Sequence, residues 1–191
     1  VPRWPENSRR RLADAALERF AENGYAATTV EDIAEAAGVT SRTFFRYFID
    51  KEEVLFGDAD ELLPLLLSTI AATVGPERGE AILQRALGAL AVAVAPRRDA
   101  LRRRQRIIDS HISLSGRDLV KQARWQKAVT AALIERGFAV EHSEVLASIG
   151  FALFRRSLHA WLEDDAGPTL ADRVRESVDR VGTVLATRSE H

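Results

Sequence analysis

The chain has 191 residues, with 27 Lys+Arg against 28 Asp+Glu, a formal net charge of −1, and neither cysteine nor methionine. That length suits one generous domain, or a small domain joined to a larger one, and it can bury a core without covalent staples. Without cysteine there is no disulfide framework, thiolate-held zinc, iron–sulfur cluster or thiol nucleophile. The balanced charge argues against a nucleic-acid binder that relies on bulk electrostatics.

Arginine outnumbers lysine 24 to 3, a bias that a GC-rich genome explains as readily as phosphate binding. The opening Val1-Pro-Arg-Trp-Pro has no apolar signal core, and the absent initiator methionine reads as a trimmed or reannotated start. The longest apolar stretches, Leu62–Val74 and Ala86–Ala95, are too short to span a bilayer. A cytoplasmic protein with no membrane partner is therefore expected.

Apolar residues recur at three and four almost throughout, and no run alternates as a half-buried strand does, so the chain reads as all-α. The first helix starts near Asn7 or Ser8, carries Leu12, Ala13, Ala16, Leu17 and Phe20 on one face, and stops at Asn23-Gly24. Thr29 opens an N-cap with Asp32 three residues on, and the helix Val30–Ala37 ends at Gly38. Thr40 or Ser41 caps a short helix through about Phe48. Asp50 opens a second box-like start, before a long helix that Pro64 bends or breaks. Breaks at Gly75-Pro76, Ala95-Pro96, Ser115-Gly116, Arg136-Gly137 and Gly167-Pro168 delimit five more, near 76–94, 97–112, 117–136, 141–164 and 169–187. The total is about nine.

Thr28 to Lys51 carries the most information. One short helix turns Ile33, Ala34 and Ala37 inward, Gly38-Val39 makes a tight turn, and the next helix sets Phe44 and Phe48 on one face. Two short helices about a glycine-containing turn form a helix-turn-helix pattern, although all-α proteins also turn ordinary corners this way. The basic run Arg9-Arg10-Arg11 crowds the first turn of its helix, with the wrong sign for the dipole. It is either a phosphate contact, most simply through Arg10, or a solvated basic end.

The ordered run from Gly24 to Thr40, continued by Thr43-Phe44-Phe45-Arg46-Tyr47-Phe48-Ile49-Asp50-Lys51-Glu52-Glu53-Val54-Leu55, strongly resembles the N-terminal domain of the tetracycline-repressor (TetR) family. The resemblance covers roughly residues 8–56. It implies an all-α protein with a three-helix DNA-binding domain over 1–53 and a ligand-binding and dimerisation bundle over 54–191. By the same resemblance Ser41, Arg42 and Thr43 meet base edges, while Thr29, Thr40, Tyr47 and Lys51 grip phosphates. Two positions depart from the family pattern. Arg42 stands where glycine is common, and contacts either guanine or backbone. Phe45 replaces a common tyrosine, leaving thymine-methyl contact, stacking or packing.

The remaining helices resemble the family only in number and length. Residues 97–106 hold six arginines and one acid, either a solvated face, a bridge to acidic residues of the first domain, a second phosphate contact or an anionic effector site. Among the aromatic and histidine residues beyond 110, Trp125 and Phe154 are candidate walls of an effector pocket and His111 a polar contact, with ordinary core packing as the alternative. The stripe Leu170, Val174, Val178, Val181, Leu185, with Ile149, Gly150 and Leu153 on the preceding helix, forms either a two-fold dimer interface or a seam within one chain.

No histidine pair has metal-ligand spacing, no glycine-rich phosphate loop is present, and Asp109-Ser110-His111 are consecutive and cannot face one another on a helix. No catalytic residue, metal site or cofactor is assigned. The expected function is a homodimeric DNA-binding regulator, a repressor released from a palindromic operator by a small-molecule effector. The alternative is a ligand-binding or catalytic bundle with a vestigial helix-turn-helix.

Overall fold

The computed structural model describes residues 5–57, 59–72 and 77–186, and among them the chain is all helical. Nine α-helices are described: α1 (Pro5–Asn23), α2 (Val30–Ala36), α3 (Ser41–Tyr47), α4 (Ala59–Ala71), α5 (Gly79–Val94), α6 (Arg98–Asp109), α7 (Ile112–Glu135), α8 (Val140–Glu163) and α9 (Leu170–Ala186). Short 3-10 turns occupy Glu53–Phe56 and Ala95–Arg97. Pro76, the expected start of the fifth helix, and the side chain of Leu185 lie outside the described residues.

The chain forms two compact units: residues 1–60 with 99–118, and residues 61–98 with 119–191. In the first unit the inward faces of α1, α2 and α3 meet on Leu12, Ala16, Ile33, Phe44 and Phe48, each almost fully buried. Ile108 and Leu114, from α6 and the start of α7, join the same core. Burying such side chains contributes about 1.5–3 kcal/mol each, which lets helices of seven residues persist where isolated ones would melt. In the second unit α5, α8 and α9 pack against one another through Ile82, Leu83, Ala86, Leu87, Ala147, Leu170 and Val174.

Helix ends follow local chemistry. α2 ends in a Schellman motif: the Val39 amide donates to Ala34 and that of Gly38 to Glu35, both at 2.9 Å. Gly38 takes φ +66°, and a Cβ there would lie 3.2 Å from Arg11 Nη2. Gly137 closes α7 in the same way, with φ +90°.

Two expected boundaries are corrected. Ser115-Gly116 does not break a helix, because α7 runs through it and the corner falls at Ser110-His111. A glycine costs a helix about 1 kcal/mol, and fully buried Leu114 next to this pair offsets that cost. Asp50 does accept the Glu53 amide at 2.7 Å, but it starts only a 3-10 turn. The helix expected from Asp50 is interrupted near Gly57, so Pro64 lies inside the separate helix α4, on its exposed side.

Candidate DNA interface

Both helices of the motif are built by their caps. Thr29 caps α2 in a reciprocal box, its hydroxyl accepting the Asp32 amide at 3.2 Å while Asp32 accepts the Thr29 amide at 2.8 Å. The Thr29 amide, and then its hydroxyl, hold the Asp32 carboxyl below the usual carboxylate range. Thr40 caps α3 by accepting the Thr43 amide at 3.2 Å, and the two hydroxyls lie 3.1 Å apart. These caps fix where α3 begins and therefore which residues face outward.

Phe44 and Phe48 go to the core, in ring contact at 5.4 Å. Opposite them, Arg42, Phe45 and Arg46 are exposed, with Ser41, Thr43 and Tyr47 half-buried beside them. Arg42 makes no polar contact with the described residues, so its five donors remain available to a ligand. Phe45 is 55% exposed and its ring meets that of Phe44 edge-on at 5.5 Å, which favours an outward contact over packing. Ile49, 75% exposed, extends the apolar patch beyond Phe45 and was not read from the sequence. The Arg46 guanidinium lies 4.9 Å above the Tyr47 ring and donates to its hydroxyl. Arg10 is also exposed, with a loose 4.0 Å pairing to Asp14.

The other cations near the motif are committed to the protein itself. Arg11 donates to the Ala37 carbonyl at the end of α2. Arg9 lies 5.3 Å above the Phe48 ring and donates to the Gly57 carbonyl. Arg9 is half-buried, whereas Arg10 and Arg11 are exposed.

Lys51 requires a correction of the same kind. It lies in a turn before the 3-10 segment, not in the first turn of a helix. Its ammonium donates to the carbonyls of Tyr25, Ala26 and Thr28 at 2.8, 3.3 and 2.9 Å, and sits 4.6 Å from the Tyr25 ring centre. An ammonium has three donors, and three carbonyls take them all. In this geometry Lys51 closes the α1–α2 loop and has no donor left for a phosphate.

Tyr25 is the hub of that corner. Its hydroxyl donates to Glu52 at 2.8 Å, and its ring meets Phe20 and His111 at 5.2 and 4.7 Å. Burial first, then the hydrogen bond to Glu52, push its hydroxyl pKa up and keep it a donor. His111 is thereby removed from the effector-pocket set: its ring packs on Tyr25, and Nδ1 lies 2.8 Å from Ser110 Oγ and 3.2 Å from the Ile107 carbonyl.

Arg117 was also not read from the sequence. Its guanidinium bonds Asp50, Glu52 and Glu53 at 2.9, 2.8 and 2.9 Å. Burial works against the charge, but these carboxylates override it and raise the pKa further. Three acids in four residues demand a cation, yet the spacing gives no hint of one 64 to 67 residues away.

Of the arginine run, Arg104 bonds the Leu55 carbonyl and Asp118 and lies 5.2 Å over Phe56. Arg98 bonds the Trp161 and Asp164 carbonyls and pairs with Asp165 at the end of α8. Arg98 and Arg104 of the run therefore have structural roles, while Arg103 and Arg106 are exposed.

In the second unit, Trp125 and Phe151 make an edge contact at 6.4 Å, and Trp125 and Phe154 are half-buried. Two residues leave the proposed dimer set. Val174 is fully buried within the chain, and a Cβ at Gly150 would meet Leu83 of α5 at 3.3 Å. The close approach at Gly150 is thus made by a neighbouring helix of the same chain. Ile149, Leu153, Val178 and Val181 stay half-buried, and Val145, 56% exposed, continues the α8 stripe.

A capped pair of short helices whose second member presents a polar and basic face outward defines a helix-turn-helix DNA-binding protein. Residues 12–57 match the model for bacterial regulatory proteins of the tetR family. The putative mycofactocin biosynthesis transcriptional regulator MftR of Mycobacterium tuberculosis is 25% identical over 177 residues, covering 91% of this chain and 89% of its own. The regulator TcmR of Streptomyces glaucescens is 57% identical over 47 residues, 25% of this chain and 21% of its own. Among solved structures, a putative TetR-family regulator from Syntrophomonas wolfei superposes with TM-score 0.67 at 20% identity, over 94% of this chain and 95% of that one. Thermus thermophilus FadR, a TetR-family repressor in complex with lauroyl-CoA, superposes with TM-score 0.52 at 26% identity, over 90% and 91%. Residues 12–57 are thus similar to the DNA-binding domain of tetR-family regulators, and the chain as a whole is similar to such regulators over most of its length. No helix among the described residues is long and apolar enough to cross a membrane.

Proposed function

We propose that the protein is a cytoplasmic, homodimeric repressor that binds a palindromic operator through α3 and is released by a small-molecule effector held in residues 54–191. The observation that carries the reading is the sorting of α3: Phe44 and Phe48 are buried, whereas Arg42, Phe45 and Arg46 are left to solvent. A vestigial motif has no need of that outward face. Ser41, Arg42, Thr43 and Phe45 are the base-reading set. Arg10, Thr29, Thr40 and Tyr47 are the phosphate set, in which Thr29 must redirect to phosphate the one hydroxyl hydrogen it now donates to Asp32.

Two copies pair through the stripe Val145, Ile149, Leu153 on α8 and Val178, Val181 on α9, so that two recognition helices meet successive major grooves about 34–36 Å apart. The effector is an apolar-chained small molecule contacting Trp125 and Phe154. The lauroyl-CoA of the Thermus relative makes a long-chain acyl-CoA the first class to test. Such a ligand shifts DNA affinity only by its differential affinity for the two states.

The test is sedimentation velocity combined with DNA titration. The protein should sediment as a dimer at micromolar concentration, and lauroyl-CoA should weaken its hold on DNA. A monomer would contradict the symmetric operator. Unchanged DNA affinity at saturating acyl-CoA would exclude that effector class.

A further inference from the structure

The segment that follows α3 is held from outside the helix-turn-helix. Each of its three carboxylates gives one oxygen to Arg117 and, for two of them, the other oxygen to a second partner. Asp50 Oδ2 accepts from Arg117 while Oδ1 accepts the Glu53 amide. Glu52 Oε2 accepts from Arg117 while Oε1 accepts the Tyr25 hydroxyl. Glu53 Oε2 accepts from the second guanidinium nitrogen. Between these acids Lys51 is bonded to the α1–α2 loop. Phe48, which ends α3, is two residues from Asp50, so the guanidinium fixes the exit of α3 against α7. The Arg117 side chain is 27% exposed, where such pairs are screened less than on an open surface.

We propose that Arg117 is a positioning residue for operator recognition, acting through Asp50, Glu52 and Glu53 on the orientation of α3. The proposal rests on α3 being the recognition helix. Arg117 touches no base in this account; it sets the angle at which Arg42 and Phe45 reach the groove. A fixed angle matters only for base readout. Phosphate contacts supply affinity without sequence information, and they tolerate small rotations better than paired hydrogen bonds to a base edge.

One rival has to be separated from positioning. Without Arg117, three carboxylates beside the DNA face would repel phosphate, weakening specific and nonspecific binding alike. The experiment therefore measures the ratio of specific to nonspecific affinity, using the wild type's selected sequence and a scrambled duplex at one salt concentration. R117Q should lower that ratio about tenfold, a single step of discrimination between right and wrong sites. The variant R117Q/E52Q, which restores the net charge of the cluster, should stay as poorly discriminating as R117Q. R117K, which keeps the charge but has no planar fork, should fall between wild type and R117Q, and it stands in if R117Q does not fold. An unchanged ratio in both R117Q and R117K, or recovery of the wild-type ratio in the charge-compensated variant, would overturn the proposal. A wild type that selects no sequence would overturn the DNA-binding reading first, which is a distinguishable result.

Discussion

Both compact units have an apolar core, and they differ in how far charged side chains add to it. In the first, short helices are tied by charged side chains to backbone carbonyls and carboxylates: Arg11 to Ala37, Arg9 to Gly57, Lys51 to three carbonyls, and Arg117 to three acids. In the second, α5, α8 and α9 meet mainly through aliphatic side chains such as Leu83, Leu87, Ala147 and Val174. Aliphatic cores accept many sequences of similar volume, whereas a lysine that must reach three carbonyls accepts almost none. The difference parallels the family match, which covers residues 12–57 of the first unit and none of the second. A binding face needs defined angles, and directional bonds supply them.

The sharpest way to break this comparison is to remove the apolar centre of the first unit. Phe44→Ala should cost about 3–5 kcal/mol, read by denaturant unfolding, and should abolish DNA binding. A loss below 1 kcal/mol would mean that the polar ties alone hold the unit.

Next in size is Lys51→Ala. Loss of charged hydrogen bonds to three carbonyls should cost about 1.5–3 kcal/mol of stability. The slope of log affinity against log salt should stay at its wild-type value, because no phosphate contact is lost. A slope reduced by about 1 would return Lys51 to the phosphate set.

Arg42→Ala tests the opposite property, a residue built for a ligand and not for the fold. Stability should be unchanged, while preference at one base position should relax by about 1–3 kcal/mol if the contact is bidentate to guanine. Retained selectivity would reduce Arg42 to a backbone contact.

The smallest effect concerns an acid that both units use alike. Asp32 accepts from Thr29, and Asp172 from Thr169 and then Arg175; both carboxyls are held below the ordinary value of 3.8. A depressed folded pKa contributes stability that is fully present above that ordinary value. It is lost as pH falls through the lower folded value. Asp32→Asn should therefore make the first unit less sensitive to acid below about pH 4, with the Asp172 contribution unaltered. An acid-unfolding profile identical to wild type would show that the α2 cap carries no such linkage.

What could be read from sequence was local. Thr29, Thr40 and Gly38 state their roles within four residues, and Phe44 and Phe48 declare the buried side of α3 by spacing alone. Distance defeated the rest. Lys51 and Arg11 look like phosphate-seeking cations until their carbonyl acceptors, 23 to 26 residues away, are seen. His111 looks like a pocket polar group because nothing in its neighbourhood names Tyr25. Gly150 signals a close approach, but the sequence does not say whether Leu83 of the same chain or a second copy makes it. Ser115-Gly116 looks like a break because burial of Leu114 has no local signature.

The central claim is that an ordered, outward-facing α3 reads sequence as one half of a symmetric pair. The most direct measurement is selection of bound duplexes from a random DNA pool by the full chain. The expected result is an inverted repeat with half-sites about one helical turn apart, and loss of one selected position within each half when Arg42→Ala is used instead. Enrichment of no motif, or of a single unrepeated half-site, would contradict it.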